Sequence, residues 1–379
     1  SCDEDKDTRF IILRGSGRAF CAGGDIKGSG STNELYFDKN IRAFHETLFY
    51  MGCVMKTPVI SFLNGITVGG GIGISQLTAF KIATENTTFC LPEASIGHFC
   101  DAGSSFIIPR MEGYLGVYLA LTGHSFKAED TLFAGFATHF MDSENITALE
   151  KKLSEQDSIT LDIIDSIIQE FSVSMDHVAS NYRFYGDTLQ AIERCFKYNS
   201  VQDIIKALER EGTKFAEGCL KSINFCSPTS LQVIMNAINQ GKSRSMAQCI
   251  NYEYHLWCNL PFAHDYKEGV YALLEKRRPQ WIPSTLDEID SNYIQSNFFT
   301  RVRSAPFMDL SYDFTTSPYK RFHLPTFEEV VDIQKKYGLK TRKEIIDWFL
   351  NDRKGKFGVK QKVTDILDRN KIGSTWAKI

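Results

Sequence analysis

Three consecutive glycines, Gly69, Gly70 and Gly71, open an apolar stretch that reads as a helix. Glycine lets a backbone approach a ligand closely, and the first N–H groups of a helix point at negative charge. Downstream, in TTFCLPEASIGHFCDAG, a carboxylate at Glu93 follows a proline and a second, Asp101, lies eight residues further on. A cradle of N–H donors beside two carboxylates suits a reaction whose transition state carries an oxyanion. A tight strand–helix turn with surface acids would write the same pattern, so the glycines alone do not decide it.

Other reactive residues carry less. Ser104 has no GxSxG setting and no evident histidine partner, which argues against a nucleophile. Cys100 has His98 two residues away, but neighbours at that spacing point differently in most backbones, and a packed thiol is expected. His139 is expected to be a structural hydrogen-bonding residue. The eight histidines form no HExxH or Cys/His cluster, so no metal is predicted. GSGRAF, from Gly15, lacks the third glycine and the following acid of a dinucleotide fingerprint.

These residues need elements to hold them. Phe10 to Leu13 reads as a short buried strand, and VISFL, Val59 to Leu63, as another that runs into the glycines. KIAT and TTFCLP supply short strands that deliver Glu93. Residues 34–52 have helical spacing and stop at Gly52, with His45 expected on the helix surface. Pro228 after Ser227 starts a helix, and Thr326 with Glu329 caps another that stops at Gly338.

At 379 residues, 43% hydrophobic and 23% charged, the chain can bury a large core. Its longest apolar runs, such as Gly113 to Gly123, fall short of a membrane span. Ten cysteines without CxxC pairs read as reduced, packed thiols of an intracellular compartment. The net charge of −3 hides a division: residues 301–379 hold 17 basic and 10 acidic side chains, and the rest is acidic. A basic tail on an acidic body points to an anionic partner.

FCAGGDIK, NGITVGGG, the Glu93–Asp101 stretch and the run EGYLGVYLALTGHSFKAEDTLFAGFATHF together resemble the enoyl-CoA hydratase/isomerase (crotonase) superfamily, within it the 3-hydroxyisobutyryl-CoA hydrolases. The resemblance implies an α/β fold with a crotonase-like core, a β-β-α superhelix, in residues 1–150. It implies connector helices over 151–187, a helical hydrolase-type half over 188–289 and, beyond the family pattern, a basic helical extension over 290–379. Family members place further strands ahead of Phe10, so the core is expected to lack its opening strands, truncated or supplied by another polypeptide.

By the same resemblance, the N–H groups of Ala22 and Gly70 form the oxyanion hole. Gly23, Gly24, Asp25 and Lys27 lie against coenzyme A. Glu93 acts as nucleophile or as general base for water, and Asp101 holds the substrate hydroxyl or directs water. Glu46 falls where hydrolases place a substrate-contacting glutamate, and Lys276 could reach coenzyme A phosphates; both also read plainly as helix-surface residues. Hydratases carry a further glutamate where this chain has Gly73, which argues against water addition. CDAGSS at Cys100–Ser105 departs from the hydrolase pattern, and its serines would narrow the pocket or stiffen the loop. Tyr271 and EKRRP depart as well, which leaves the acyl group open.

The implied activity is hydrolysis of a short 3-hydroxyacyl-CoA in the mitochondrial matrix, without a cofactor, since coenzyme A belongs to the substrate. Self-association through the helical half is a further implication. The chain also resembles the hydrolase-like protein of the small subunit of mitochondrial ribosomes. That likeness implies a structural subunit whose extension docks onto ribosomal RNA or ribosomal proteins, with the acidic body facing away.

Overall fold

A computed structural model describes residues 2–25, 34–184, 186–260, 263–300 and 311–372. Two four-stranded sheets hold the first part of the chain. One runs in the order β1 (Ile11–Arg14), β3 (Val59–Leu63), β5 (Phe80–Ala83), β8 (His139–Phe140), all parallel. The other runs β2 (Ala19–Cys21), β4 (Ile66–Val68), β6 (Thr88–Cys90), β7 (Ser125–Lys127), with only β7 antiparallel. β3 is buried at every position, which is why VISFL reads as an unbroken apolar run rather than an alternation. From β1 to β6 successive strands alternate between the sheets, so each connection there steps from one layer to the other and winds the superhelix of a crotonase fold.

Helices cover the rest. Pro228–Gly241 begins where Ser227 accepts the Ser230 N–H at 3.0 Å, as the Ser–Pro pair predicts. Phe327–Tyr337 begins at Thr326, whose hydroxyl accepts the Glu329 N–H at 3.2 Å, and stops at Gly338 with φ 63°. Among the described residues no helix is long and apolar enough to cross a membrane.

The extension is not an arm held off the body. Phe322 packs on Phe80 of β5 with ring centroids 4.6 Å apart. Phe349, Val359, Val363 and Ile366 are buried in the same apolar cluster as Leu115, Leu119 and Phe133. Its cations turn inward too: fully buried Lys362 meets Glu112, and Arg369 reaches the same carboxylate at 3.1 Å. Arg321 and Lys354 both meet Asp162, and Lys356 lies 3.7 Å from Asp165. Acids of the body thus pair with several of the tail's cations, and the tail's own Glu329, Asp352, Asp365 and Asp368 pair with others, once apolar packing has brought the surfaces together.

Candidate active site

Parallel pairing decides where the glycines go. Cys21 of β2 and Phe89 of β6 both stand opposite Thr67 of β4, so all three strands end at one edge. The turns leaving β2 and β4 are the glycine-rich ones, and β6 leads through Leu91 and Pro92 to Glu93. Carboxyl ends of parallel strands are where α/β sheets bind ligands, since the loops there converge and helix N-termini face outward.

The two turns meet. Gly69 has φ 56° and Gly23 φ 98°, backbone that side chains resist. A Cβ on Gly69 would stand 3.5 Å from the Gly23 Cα and 3.5 Å from Glu93 Oε1. Gly23, Gly69 and Glu93 thus surround one point. Ala22 and Gly70 lie one residue away, Gly70 opening the helix Gly70–Gln76, whose first N–H groups have no intrahelical acceptor. Ala22, Gly24 and Asp25 are exposed along the same turn; Lys27 lies outside the described residues.

Glu93 is buried, and burial first, then the Asp101 charge, push its carboxyl up to about 8 despite hydrogen bonds from its own backbone N–H and the Cys100 thiol. The Cys100 sulfur lies 3.6 Å from Glu93 Oε2. That thiol is itself pushed well above its ordinary range by burial and by the Glu93 and Asp101 charges, so it serves as a donor and not as a thiolate.

Asp101 is buried as well, with Oδ2 accepting the Trp257 indole N–H at 2.5 Å. The loop beyond it takes positive φ at Ala102 (58°) and Gly103 (86°), a conformation that alanine holds at a cost of about 1 kcal/mol. Glu253, fully buried, holds the loop: it accepts the Gly103 N–H at 2.6 Å, the Ser105 N–H at 2.8 Å and the Ser105 hydroxyl at 2.6 Å. Ser105 therefore stiffens the loop. Both Glu253 and Trp257 come from the helix Met246–Asn259, four residues apart and so on one face. Gly73 packs against the loop from below, where a Cβ would stand 2.1 Å from that of Ala102. No glutamate fits there, so the two-carboxylate arrangement of a hydratase has no room.

One placement differs from the sequence reading. His45 is not on the helix surface but fully buried on Glu34–Phe49, because positions 41, 45, 48 and 49 form the stripe that faces the Met246–Asn259 helix. Its Nδ1 donates to the Ile41 carbonyl at 2.9 Å, which leaves Nε2 as an acceptor, and that atom has no partner among the described residues. Burial holds the ring neutral against the pull of the Asp101 charge. Glu46 is exposed and bonded to Arg42 at 2.9 Å, one residue round the helix from the buried stripe, as its helix-surface reading has it. Lys276 is exposed at the end of the helix His264–Glu275, with φ 55°.

Sequence reasoning missed Glu253 and left His45 on the surface. The i, i+4, i+7, i+8 spacing could have found His45. Nothing local marks Glu253, which lies 150 residues from its partner Gly103. His139 is structural as expected, with Nδ1 3.0 Å from the Thr138 hydroxyl and Nε2 3.1 Å from Asp165. Among the described residues no group of three His, Cys, Asp or Glu could hold a metal.

Known proteins share this architecture. The family model described as enoyl-CoA hydratase/isomerase matches residues 1–298. The mitochondrial 3-hydroxyisobutyryl-CoA hydrolase of Dictyostelium discoideum is 37% identical over 302 residues, 76% of this chain and 78% of that protein. Small ribosomal subunit protein mS47 of Neurospora crassa is 36% identical over 396 residues, covering 96% of this chain and 77% of that protein. A carnitinyl-CoA dehydratase from Mycobacterium thermoresistibile superposes with a TM-score of 0.69 at 26% identity, over 78% of this chain and 84% of the other.

Proposed function

The chain belongs to the enoyl-CoA hydratase/isomerase family, and from that premise we propose that its glycine-lined site hydrolyses a short 3-hydroxyacyl-CoA thioester in the mitochondrial matrix. The observation that carries this reading is the meeting of Gly23, Gly69 and buried Glu93 at one strand edge. The thioester oxygen lies between the N–H groups of Ala22 and Gly70, where each donor lowers the barrier by about 3–4 kcal/mol as charge develops. Glu93 attacks the carbonyl carbon, to be freed by water, or takes a proton from the attacking water. In either case the carbon–sulfur bond breaks, coenzyme A leaves with the electron pair and is protonated, and the acyl group gains an oxygen from water. Asp101, fixed by Trp257, takes the substrate hydroxyl. Gly23, Gly24 and Asp25 border the path for coenzyme A, with no cofactor required.

Thiol release from 3-hydroxyisobutyryl-CoA by the full chain tests this. Glu93→Gln should fold normally and lower turnover by at least about a hundredfold. A parent protein that releases no thiol, or a variant that matches it, would sink the reading.

A second reading has its own observation. The ribosomal relative aligns over 96% of this chain, whereas the hydrolase relative aligns over 76% and the family model stops at residue 298. The extension is thus shared with a ribosomal protein. On this reading the chain is a component of the mitochondrial small ribosomal subunit that has kept the site, with ribosomal RNA and neighbouring proteins as partners. Co-sedimentation with mitochondrial small subunits is expected; a chain found only as free protein would exclude it.

A further inference from the structure

A second cavity, of about 560 Å3, lies where the extension closes over the core, and none of Ala22, Gly70, Glu93 and Asp101 lines it. Its volume falls within the range of small-molecule sites, roughly 300–1,000 Å3. Lys81 of β5 reaches it from the core side. That side chain is 1% exposed, and its Nζ donates to the Thr78 carbonyl at 3.0 Å.

The contrast with the other buried lysines is what makes it unusual. Lys362 is matched by Glu112, and Lys356 has Asp165 at 3.7 Å. Among the described residues no carboxylate lies within 4.0 Å of Lys81. An ammonium buried without a counter-charge is costly, and burial accordingly lowers Lys81 to about 7. Of the acids on the cavity wall, Glu112 is engaged by Lys362 and Arg369 and Glu329 by Lys320 and Arg353, while Asp332 makes no ion pair among the described residues. His323 on the wall and His139 nearby are held neutral, by burial first. Apolar side chains also line the cavity, among them Leu77, Phe106, Met246 and Phe314.

We propose that this cavity binds a small organic carboxylate, with the carboxyl group on Lys81 Nζ and the apolar body against Phe106, Met246 and Phe314. The ligand supplies the charge that the fold withholds from Lys81, and its hydrocarbon part replaces water on the apolar wall. This site is separate from the thioester site, and its occupancy does not depend on Glu93.

Calorimetric titration of the full chain with octanoate, and in parallel with inorganic phosphate, tests the proposal. Octanoate should bind, and Lys81→Met, close to lysine in length and apolar, should weaken it at least about tenfold by removal of a charge-assisted hydrogen bond. Phe314→Ala, at a partly exposed position of the wall, should weaken it severalfold. Glu93→Gln should leave it unchanged. Absence of octanoate binding, equal binding by Lys81→Met, or phosphate binding as tight as octanoate would overturn the proposal. Displacement of octanoate by coenzyme A, or its loss in Glu93→Gln, would place the ligand in the thioester site and overturn it as well. If Lys81→Met does not fold, Phe314→Ala decides: undiminished affinity there removes the assigned wall.

Discussion

A carboxyl group at about 8 is a strong base only while it is ionised, and this sets how Glu93 should behave with pH. Rising pH frees the carboxylate, so kcat/KM for thioester cleavage should climb about tenfold per unit up to about 8 and then level. The Cys100 thiol favours the ionised form by its hydrogen bond, so Cys100→Ala should move that limb to higher pH. A limb that stays in place would show that the thiol does not touch the working carboxylate. Stability runs the other way. The folded pKa lies above the ordinary 4.5, so the protein favours the protonated group, and that contribution is complete below about 4.5 and lost as pH rises through about 8. Glu93→Gln, neutral throughout, should therefore gain stability relative to the parent between about pH 5 and 9, read as a difference in Tm across that range. Asp101→Asn makes a different prediction: a larger loss on 3-hydroxyacyl-CoA than on plain acyl-CoA substrates. Equal losses would remove its assignment to the hydroxyl.

One helix, Met246–Asn259, controls the loop that carries Asp101. Glu253 satisfies two backbone N–H groups and a hydroxyl of that loop, and burial raises its own pKa to about 8. Glu253→Ala would leave three buried donors without an acceptor, a loss of about 2–4 kcal/mol. Denaturant unfolding should report that loss, and activity should fall further than stability explains because Ala102 and Gly103 would relax from positive φ. Full activity in a destabilised Glu253→Ala protein would show that the loop holds Asp101 by itself. Trp257 acts from the same face, so Trp257→Phe should raise KM for hydroxylated substrates with little change for plain ones.

Across the molecule, the extension is both packing and charge. Phe349 is fully buried in the main apolar cluster, so Phe349→Ala should cost about 3–5 kcal/mol, lowering the Tm of the whole body in one transition. A separate early transition for the extension would contradict the shared core. Exposed lysines 335, 336, 340, 343 and 360 make no ion pair among the described residues, unlike the inward cations. Their replacement by glutamine should leave Tm within about 1–2 °C, weaken any association with ribosomal small subunits and flatten its salt dependence. Unaltered association would move the interface elsewhere.

What the sequence determined by itself is local. Glycines at 23 and 69–71, a carboxylate just after a short strand, the VISFL run and the Thr326 cap each declare themselves within a few residues, because backbone sterics, strand burial and capping act at that range. The site itself was legible to that extent: Glu93 and both glycine turns do meet, once parallel pairing of β2, β4 and β6 is known. Tertiary structure alone decided the rest. Glu253 meets Ser105 across 148 residues and Lys362 meets Glu112 across 250, and no local pattern records which distant charge a side chain will face. A basic count of 17 against 10 reads from sequence as a surface seeking an anion, yet much of that charge is directed at the chain's own acids. Composition gives the sign of a charge, and only packing gives its partner.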